Sequence, residues 1–577
     1  MAKKLKKAFT ITELVIVIAV VAILAAVLIP TFVNIVDKAN ESSDTQAVRE
    51  MNLALENAEI LEGKAENLTD ALEVLADAGM DANAYKALSK GRKFIWDSSI
   101  NRVLYVTDDN KVLYPQEYKD TIYTFGTWIT LTGQMAGDES WKENDESVST
   151  YTLPEGIGTV TGDFTKYSIS SNAQLMSLSE SLRAGEFENK GAGLIVELEK
   201  DAEIDLLGAE WVSISEFAGI FNGNGATISN LTMTDRTQDC ETEFSSTNNN
   251  TYQPYGFISV YEGRYFGNVT FENVNIDCPG EAKNPTLSTN HTVAVAIGAV
   301  RNMDTTNTTY IDRITVESGS VSSYYRVAGI VGFAGGIANG AEMTGDIVIS
   351  NCVNKATITS ILCASTYNTA AGILSTSNQL KAGAELIIEN NKNYGTINGQ
   401  LAGGIAGPLF GGGAHESKTV DKVTTYYYEH TIGSSGTVII RNNENHGAVN
   451  ARHYSGYSDE SYNEDGLYIA YNQNGTRAAG IVTAQTHQDN TYVYGNVNTG
   501  KITAVNEDGV EWDTAKYEIA FVCEKQLNAG LGYIVGFDEN EKSAPNYLNA
   551  EKTKVATDLT TDKTWDASEM AQTKPKS

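Results

Sequence analysis

From Leu14 to Ile29 the chain runs through sixteen consecutive apolar residues, and Pro30 closes the run. Extended back to Phe9 it reaches the roughly 20 residues that a helix needs to cross a bilayer, so one membrane-spanning helix is expected over 9–30. Beyond Pro30, apolar and small residues recur every three or four positions, at Val36, Ala39, Ser43, Ala47, Met51, Ala54, Ala58 and Leu61. That is the period of one helix face. The pattern predicts a single helix over 9–61, roughly 80 Å long at 1.5 Å per residue, with Pro30 tolerated as a kink.

The pattern changes after Leu61. Residues 63–90 read as short helical pieces broken at Gly63 and Gly79, and three strand-like runs follow: Lys93–Trp96, Arg102–Val106 and Lys111–Tyr114. The gaps between them, Asp97–Asn101 and Asp108–Asn110, carry turn chemistry. A meander of three antiparallel strands is therefore expected in a small head over 62–134. Asp108 and Asp109 are the acids from which a calcium site would be built, but the turn reading is preferred. Residues 135–170 are polar and turn-rich and read as a linker. A short helix over Asn172–Leu182 then opens a region of short strands separated by Gly and Asn turns, including Gly193–Leu198, Ala202–Leu206, Glu210–Ile214 and Phe217–Leu231. This is the pattern of an all-β unit.

Internal repetition selects the kind of all-β unit. A small-Gly-Ile step recurs at Ala328-Gly329-Ile330, Ala371-Gly372-Ile373, Gly403-Gly404-Ile405 and Ala479-Gly480-Ile481, and each is followed by an Asn-rich block, at Ile349–Ile358, Ile388–Ile397, Ile440–Val449 and Val493–Ile502. Spacing between the glycines varies while the blocks keep their form, so coils of fixed core with loops of variable length, a solenoid over 171–540, are expected. Aligned asparagines suit coil corners, because Asn accepts the left-handed backbone region and stacks in hydrogen-bonded ladders. A polar tail over 541–577 follows.

Length and charge narrow the function. At 577 residues the chain exceeds one ordinary domain. Its formal charge of −31 repels phosphate backbones, and nucleic acid is not an expected partner. The charge is uneven: Lys3, Lys4, Lys6 and Lys7 fall in the first eight residues, which hold no acid. By the positive-inside rule they keep the N-terminus cytoplasmic and send the rest of the chain outward. Glu13 is costly within an apolar helix, and no Lys, Arg or His lies between Phe9 and Val36 to pair with it. Its partner must come from another molecule, unless it sits at the headgroups as an N-terminal helix acid.

The basic leader, Phe9, Glu13 and Pro30 together resemble the type IV prepilin signal of pilins and pseudopilins. The resemblance implies cleavage between Ala8 and Phe9 by a prepilin peptidase, with residues 1–8 as leader, and N-methylation of Phe9. It also implies a salt bridge from Glu13 to the new amino group of a neighbouring subunit, and a helix whose first half packs in a filament core while its second half packs on the chain's own head. Ala8 stands where Gly is usual and Thr12 where Ile is common. The competing reading is an ordinary secretory signal cut near Ala22–Ala26, which leaves the Phe, Glu and Pro spacings unexplained.

The region from about 170 to 535 resembles the glycine-rich GLUG-type repeats of bacterial surface adhesins and of non-catalytic parts of IgA-protease-like proteins, with Asn222-Gly223-Asn224-Gly225 where Asp-Gly-Asn-Gly is usual. The expected fold is thus an α+β pilin-like unit followed by a large all-β right-handed parallel β-helix. The expected role is a minor or tip pilin subunit with adhesive function. It would be a single-pass protein of the cytoplasmic membrane before assembly and lie on an extracellular pilus or the cell surface afterwards. The implied partners are the prepilin peptidase and methylase, other pilin subunits, the membrane, and a host or glycan receptor. A surface-tethered polysaccharide enzyme and a pseudopilin of a secretion or DNA-uptake machine are the alternatives.

Candidate chemistry is sparse. The six histidines, His291, His415, His430, His446, His453 and His487, form no His-Glu-x-x-His pattern and read as scaffold residues on solvent-facing loops. There is no Gly-x-Ser-x-Gly elbow and no phosphate-binding loop. Neither catalysis, a metal nor a cofactor is expected. The five cysteines, Cys240, Cys278, Cys352, Cys363 and Cys523, allow a Cys240–Cys278 or a Cys352–Cys363 pair and equally allow buried thiols. Tyrosines crowd the longest insertions. Tyr426, Tyr427, Tyr428, Tyr454 and Tyr457 are the candidate ligand-binding aromatics, since such rings supply contact area at low entropic cost; they read equally well as ordinary strand residues.

Overall fold

The computed structural model describes residues 11–124, 126–235, 244–245, 251–278, 289–335, 343–361, 368–377, 380–409, 415–420, 423–428, 436–452, 476–483, 491–505, 509–511, 516–517, 534–535, 546–547 and 555–556. It divides into two units, residues 1–135 and 136–577.

In the first unit, helix α1 (Ile11–Glu62) runs unbroken through Pro30. Its N-terminal half is long and apolar enough to cross a membrane, and Val15, Ile18, Val21, Leu28, Phe32 and Ile35, which lie all round it, are more than half exposed. From Asp44 on, the helix acquires one buried face, formed by Asp44, Val48, Met51, Asn52 and Leu55 at steps of three and four. The small-residue stripe read from periodicity meets this face only at Met51; Ala47, Ala54 and Ala58 flank it half-buried, and Leu61 is exposed. The face that meets the sheet runs through Val48, Met51, Asn52 and Leu55, so Ala47 and Ala54 lie at its border rather than at its centre.

That sheet is antiparallel, in the order β3 (Val112–Tyr114), β2 (Arg102–Thr107), β1 (Arg92–Asp97) and β4 (Trp128–Thr130). The expected meander is present, and β4 adds a fourth strand. Asn52 ties helix to sheet: its amide donates to Val103 O at 2.9 Å and its Oδ1 accepts from Val103 N at 2.7 Å. Asp44 accepts from Leu88 N and Ser89 N, and Arg102 reaches Glu56 and Glu59 at 3.3 and 3.1 Å. Of the helical pieces expected over 63–90 only α2 (Leu68–Asp77) forms, capped by Asn67, whose side chain accepts from Asp70 N. Asp108 and Asp109 lie in the β2–β3 turn, where Asn110 takes φ 57°.

The second unit begins where a linker is expected. A 3₁₀ turn at Glu139–Glu143 buries Trp141 against Tyr167 and Phe187. Then β5 (Glu146–Leu153) and β6 (Gly158–Ile169) form a hairpin whose second strand pairs in parallel with β7 (Leu194–Leu198). Most of β5 faces water, with Leu153 buried beside Val160 of β6, so polar residues that read as a linker are the outer side of a sheet. Helix α3 (Asn172–Arg183) inserts Leu175, Leu178 and Leu182 into the core.

From β7 onward the region is mostly parallel sheet, as expected for a solenoid. Each coil crosses four walls in turn. In one coil the first wall is Ile347–Ser350 and Val353–Asn354, the second Thr357–Ile361, the third Thr369–Ala371 and the fourth Leu374–Ser377. The next coil repeats the path, pairing Ile349 with Ile388, which pairs with Ile440 and then Val493. All four are fully buried, and such rows of branched side chains build one continuous core. Glu210–Ser213, read as a strand, makes only an isolated bridge from Glu210 to Thr232, and the strand begins at Ile214. Parallel pairing extends past the expected end, with Tyr547 beside Val497.

Candidate functional site

The two repeated motifs meet inside the solenoid. In each Asn-rich block the first Asn is a left-handed corner of the first wall: Asn351, Asn390 and Asn442 have φ 55°, 58° and 56°, and Gly495 takes the same place. The next residue begins a buried ladder in which Cys352 N donates to Asn391 Oδ1, Asn391 to Asn443 and Asn443 to Asn496, at 2.9–3.0 Å. Two residues later a second ladder runs Asn354 to Asn393 to Asn445 to Asn498, each link 2.8 Å. Glycines of the small-Gly-Ile steps lie against this second ladder. A methyl group on Gly329, Gly372 or Gly404 would stand 2.6–2.7 Å from Oδ1 of Asn354, Asn393 or Asn445.

Insertions leave the coil at two separate corners. The segments 279–288, 362–367 and 453–475 join the second wall to the third, whereas 336–342 and the hairpin of His415–Val420 with Val423–Tyr428 join the fourth to the first. The candidate tyrosines therefore do not belong to one insertion. Tyr426, Tyr427 and Tyr428 pair with Ser417, Glu416 and His415 in that hairpin, and their side chains lie outside the description. Tyr454 and Tyr457 belong to the other corner and lie outside the described residues.

Between these corners the first and second walls carry an open ridge absent from the candidates. Tyr394 is 47% exposed and stacks on His446 of the next coil, with ring centroids 4.8 Å apart. His446 contacts Thr499 Oγ1 at 2.6 Å and Glu444 at 3.0 Å, and Glu444 also holds Lys392 at 3.2 Å. Sequence alone hints at this ridge, since Tyr394 and His446 take the same place in their Asn-rich blocks.

A second cluster lies near the solenoid's first coils. Lys190, in a left-handed turn with Asn189 and Gly191 (φ 49°, 57° and 73°), reaches Glu216 at 3.0 Å and Glu262 at 3.1 Å, and Arg301 also pairs with Glu262. The two carboxylates are thus no further apart than two hydrogen bonds, bridged by Lys190, with Arg301 on Glu262 alone. Stacking of coils assembles this cluster from residues that are distant in sequence.

His291 departs from the expected solvent-facing loop. It is fully buried in a third-wall strand, with Nδ1 3.4 Å from Ser323 Oγ and its ring against Tyr255 and Tyr325. Burial pushes its imidazole down to about 4. His430, His453 and His487 lie outside the described residues. Cys352 is a fully buried thiol with Sγ 3.2 Å from Ser350 O, and Cys278 is also buried; Cys240, Cys363 and Cys523 lie outside the described residues. Among the described residues no group of three or more His, Cys, Asp or Glu is placed to hold a metal ion.

Of the N-terminal candidates, Lys3, Lys4, Lys6, Lys7, Ala8 and Phe9 lie outside the described residues. Glu13 and Pro30 belong to α1, but their side chains lie outside the description.

No family model matches the chain, and no curated protein matches it. Among solved structures it is similar to the crystal structure of a putative immunoglobulin A1 protease from Bacteroides ovatus, at 17% identity and a TM-score of 0.35, over 63% of this chain and 86% of that one. A likeness of that degree carries no argument about function.

Proposed function

We propose that the chain is a type IV pilin-like subunit, minor or at the tip, that displays a right-handed β-helix as an adhesive domain on the bacterial surface. Prepilin peptidase cuts before Phe9, the new amino group is methylated, and Glu13 pairs with that group on a neighbouring subunit. The role is binding rather than catalysis, and the chain passes from the cytoplasmic membrane to an extracellular filament. One observation carries the reading. The described large apolar side chains of α1 from Val15 to Val36 are exposed all round the helix, and from Asp44 the helix gains a single buried face against an antiparallel sheet. A helix of that kind needs a second environment for its first half, either lipid or the helices of other subunits.

Mass spectrometry of the N-terminal peptide from native cells tests it. A chain beginning at N-methylated Phe9 is expected; one beginning near Val27 sinks the filament reading in favour of ordinary secretion.

A second reading, a tethered polysaccharide enzyme, is favoured by the Lys190–Glu216–Glu262–Arg301 cluster, because paired carboxylates are what glycoside hydrolysis requires. Release of reducing ends from polysaccharide by the wild type, abolished in Glu262→Gln, would move the assignment to that reading.

A further inference from the structure

In the second wall Ile358, Ile397 and Val449 point into the core, so the residues between them form outward rows. One row runs Asp277, Ser322, Thr359, Asn398, Asn450 and Thr503, in register across six strands. Three of its five links are hydrogen bonds: Ser322 donates to Asp277 at 3.1 Å, Asn398 to Thr359 at 3.3 Å and Asn450 to Asn398 at 3.0 Å. The neighbouring row pairs Ser320 with Thr357, both exposed. Between Ser320 and Asn450 neither row holds a charge, in a chain of formal charge −31.

The border of this face with the first wall carries no insertion in four successive coils. The corner joining the first and second walls is crossed by only two or three residues in four successive coils, at 355–356, 394–396, 446–448 and 499–501, while the insertions leave from other corners. Tyr394 stands on that corner, four residues before Asn398.

We propose that this face is a binding site for an extended, uncharged glycan lying along the stacking axis. The inference rests on the adhesive reading and names its ligand class. Each coil presents the same amide or hydroxyl at the strand spacing of about 4.8 Å, an amide that donates one N–H to its neighbour keeps another for a ligand, and sugar hydroxyls both donate and accept. The exposed part of the Tyr394 ring offers packing for a sugar ring beside these rows. A polyanion is disfavoured by the chain's charge, and a protein partner would want the apolar centre that this face lacks.

Isothermal titration of the full chain in detergent micelles with cellohexaose, chitohexaose and mannohexaose, and with an oligogalacturonide as the polyanion, tests the proposal. At least one neutral hexasaccharide is expected to bind with Kd below about 1 mM, and the oligogalacturonide not at all. Thr357→Lys, at an exposed position, is expected to weaken that binding about tenfold or more with Tm unchanged; Thr359→Lys, which also removes the bond from Asn398, is expected to weaken it as much, and Tyr394→Ala to weaken it further. Failure of all three neutral sugars to bind, binding indifferent to the lysine variants, or preference for the polyanion overturns the proposal. Adhesion of cells carrying Thr357→Lys separates the two readings. Cells that still adhere at wild-type level while the chain binds no neutral hexasaccharide keep the adhesive role and remove this face from it; wild-type cells that adhere no better than cells lacking the protein remove the adhesive role itself.

Discussion

Gly404 and Asn445 belong to different repeated motifs and stand against each other inside the solenoid, so close that a methyl group on Gly404 would lie 2.7 Å from Asn445 Oδ1. The same methyl would press on the Gly480 carbonyl of the next coil, and neither neighbour is the free end of a flexible chain. Gly404→Ala is therefore expected to cost about 1–3 kcal/mol by overpacking. Gly193→Ala, where the nearest atom is Asp163 O at 3.5 Å, is expected to stay within about 0.5 kcal/mol of wild type. Thermal unfolding of the two variants side by side checks the contrast.

Asn393 both accepts from Asn354 and donates to Asn445, at 2.8 Å each, with no exposure to water. Asn393→Ala leaves a buried donor and a buried acceptor unmet, at about 2–4 kcal/mol in all. Asn393→Asp is expected to cost more, because a carboxylate has no N–H for Asn445 and adds a buried charge. The order of urea midpoints, wild type above Ala above Asp, is the readout.

In the first unit, Asn52 satisfies both backbone groups of Val103. Asn52→Ala is expected to loosen the α1–β2 contact by about 2–4 kcal/mol. Amide hydrogen exchange at Val103 should accelerate, while exchange at Ile440 in the solenoid core stays at its wild-type rate.

His291 makes the solenoid sensitive to mild acid. Its folded value is about 4 and the unfolded value about 6.5, so between these the unfolded chain binds a proton that the folded chain refuses. Stability is then full above pH ~6.5 and falls as pH drops toward ~4, by about 3 kcal/mol in total. His291→Gln is expected to flatten that part of the profile. Unfolding free energies of both proteins from pH 4 to pH 7 give the difference, and parallel curves would show that His291 does not titrate as described.

Much of the fold was legible because its signals are local. Sixteen apolar residues in a row admit few readings, and the asparagine corners declare themselves through spacing alone, Asn351, Asn390 and Asn442 each opening a block of the same form. Misreadings fall where local chemistry is ambiguous. The hairpin of β5 and β6 is polar because it faces water, so it looked like a linker. Glu210–Ser213 has strand composition but no partner strand beyond one bridge. His291, polar in sequence, is buried because the strand after its insertion turns it inward against Tyr255 and Tyr325.

The sequence by itself determined the order of parts: four lysines in the first eight residues, one apolar helix, a small sheet, and coils with an Asn block and a glycine step in each. These follow from hydrophobic period, turn residues and repetition, which act over a few residues at a time. Only the tertiary structure decided which residues share a surface. Coil stacking brings Lys190 to Glu216 and Glu262, sets Tyr394 on His446, aligns Thr359 with Asn398 and Asn450, and parts the tyrosine insertions to different corners. Insertions of unequal length separate these partners along the chain, and parallel pairing between coils restores their register in space.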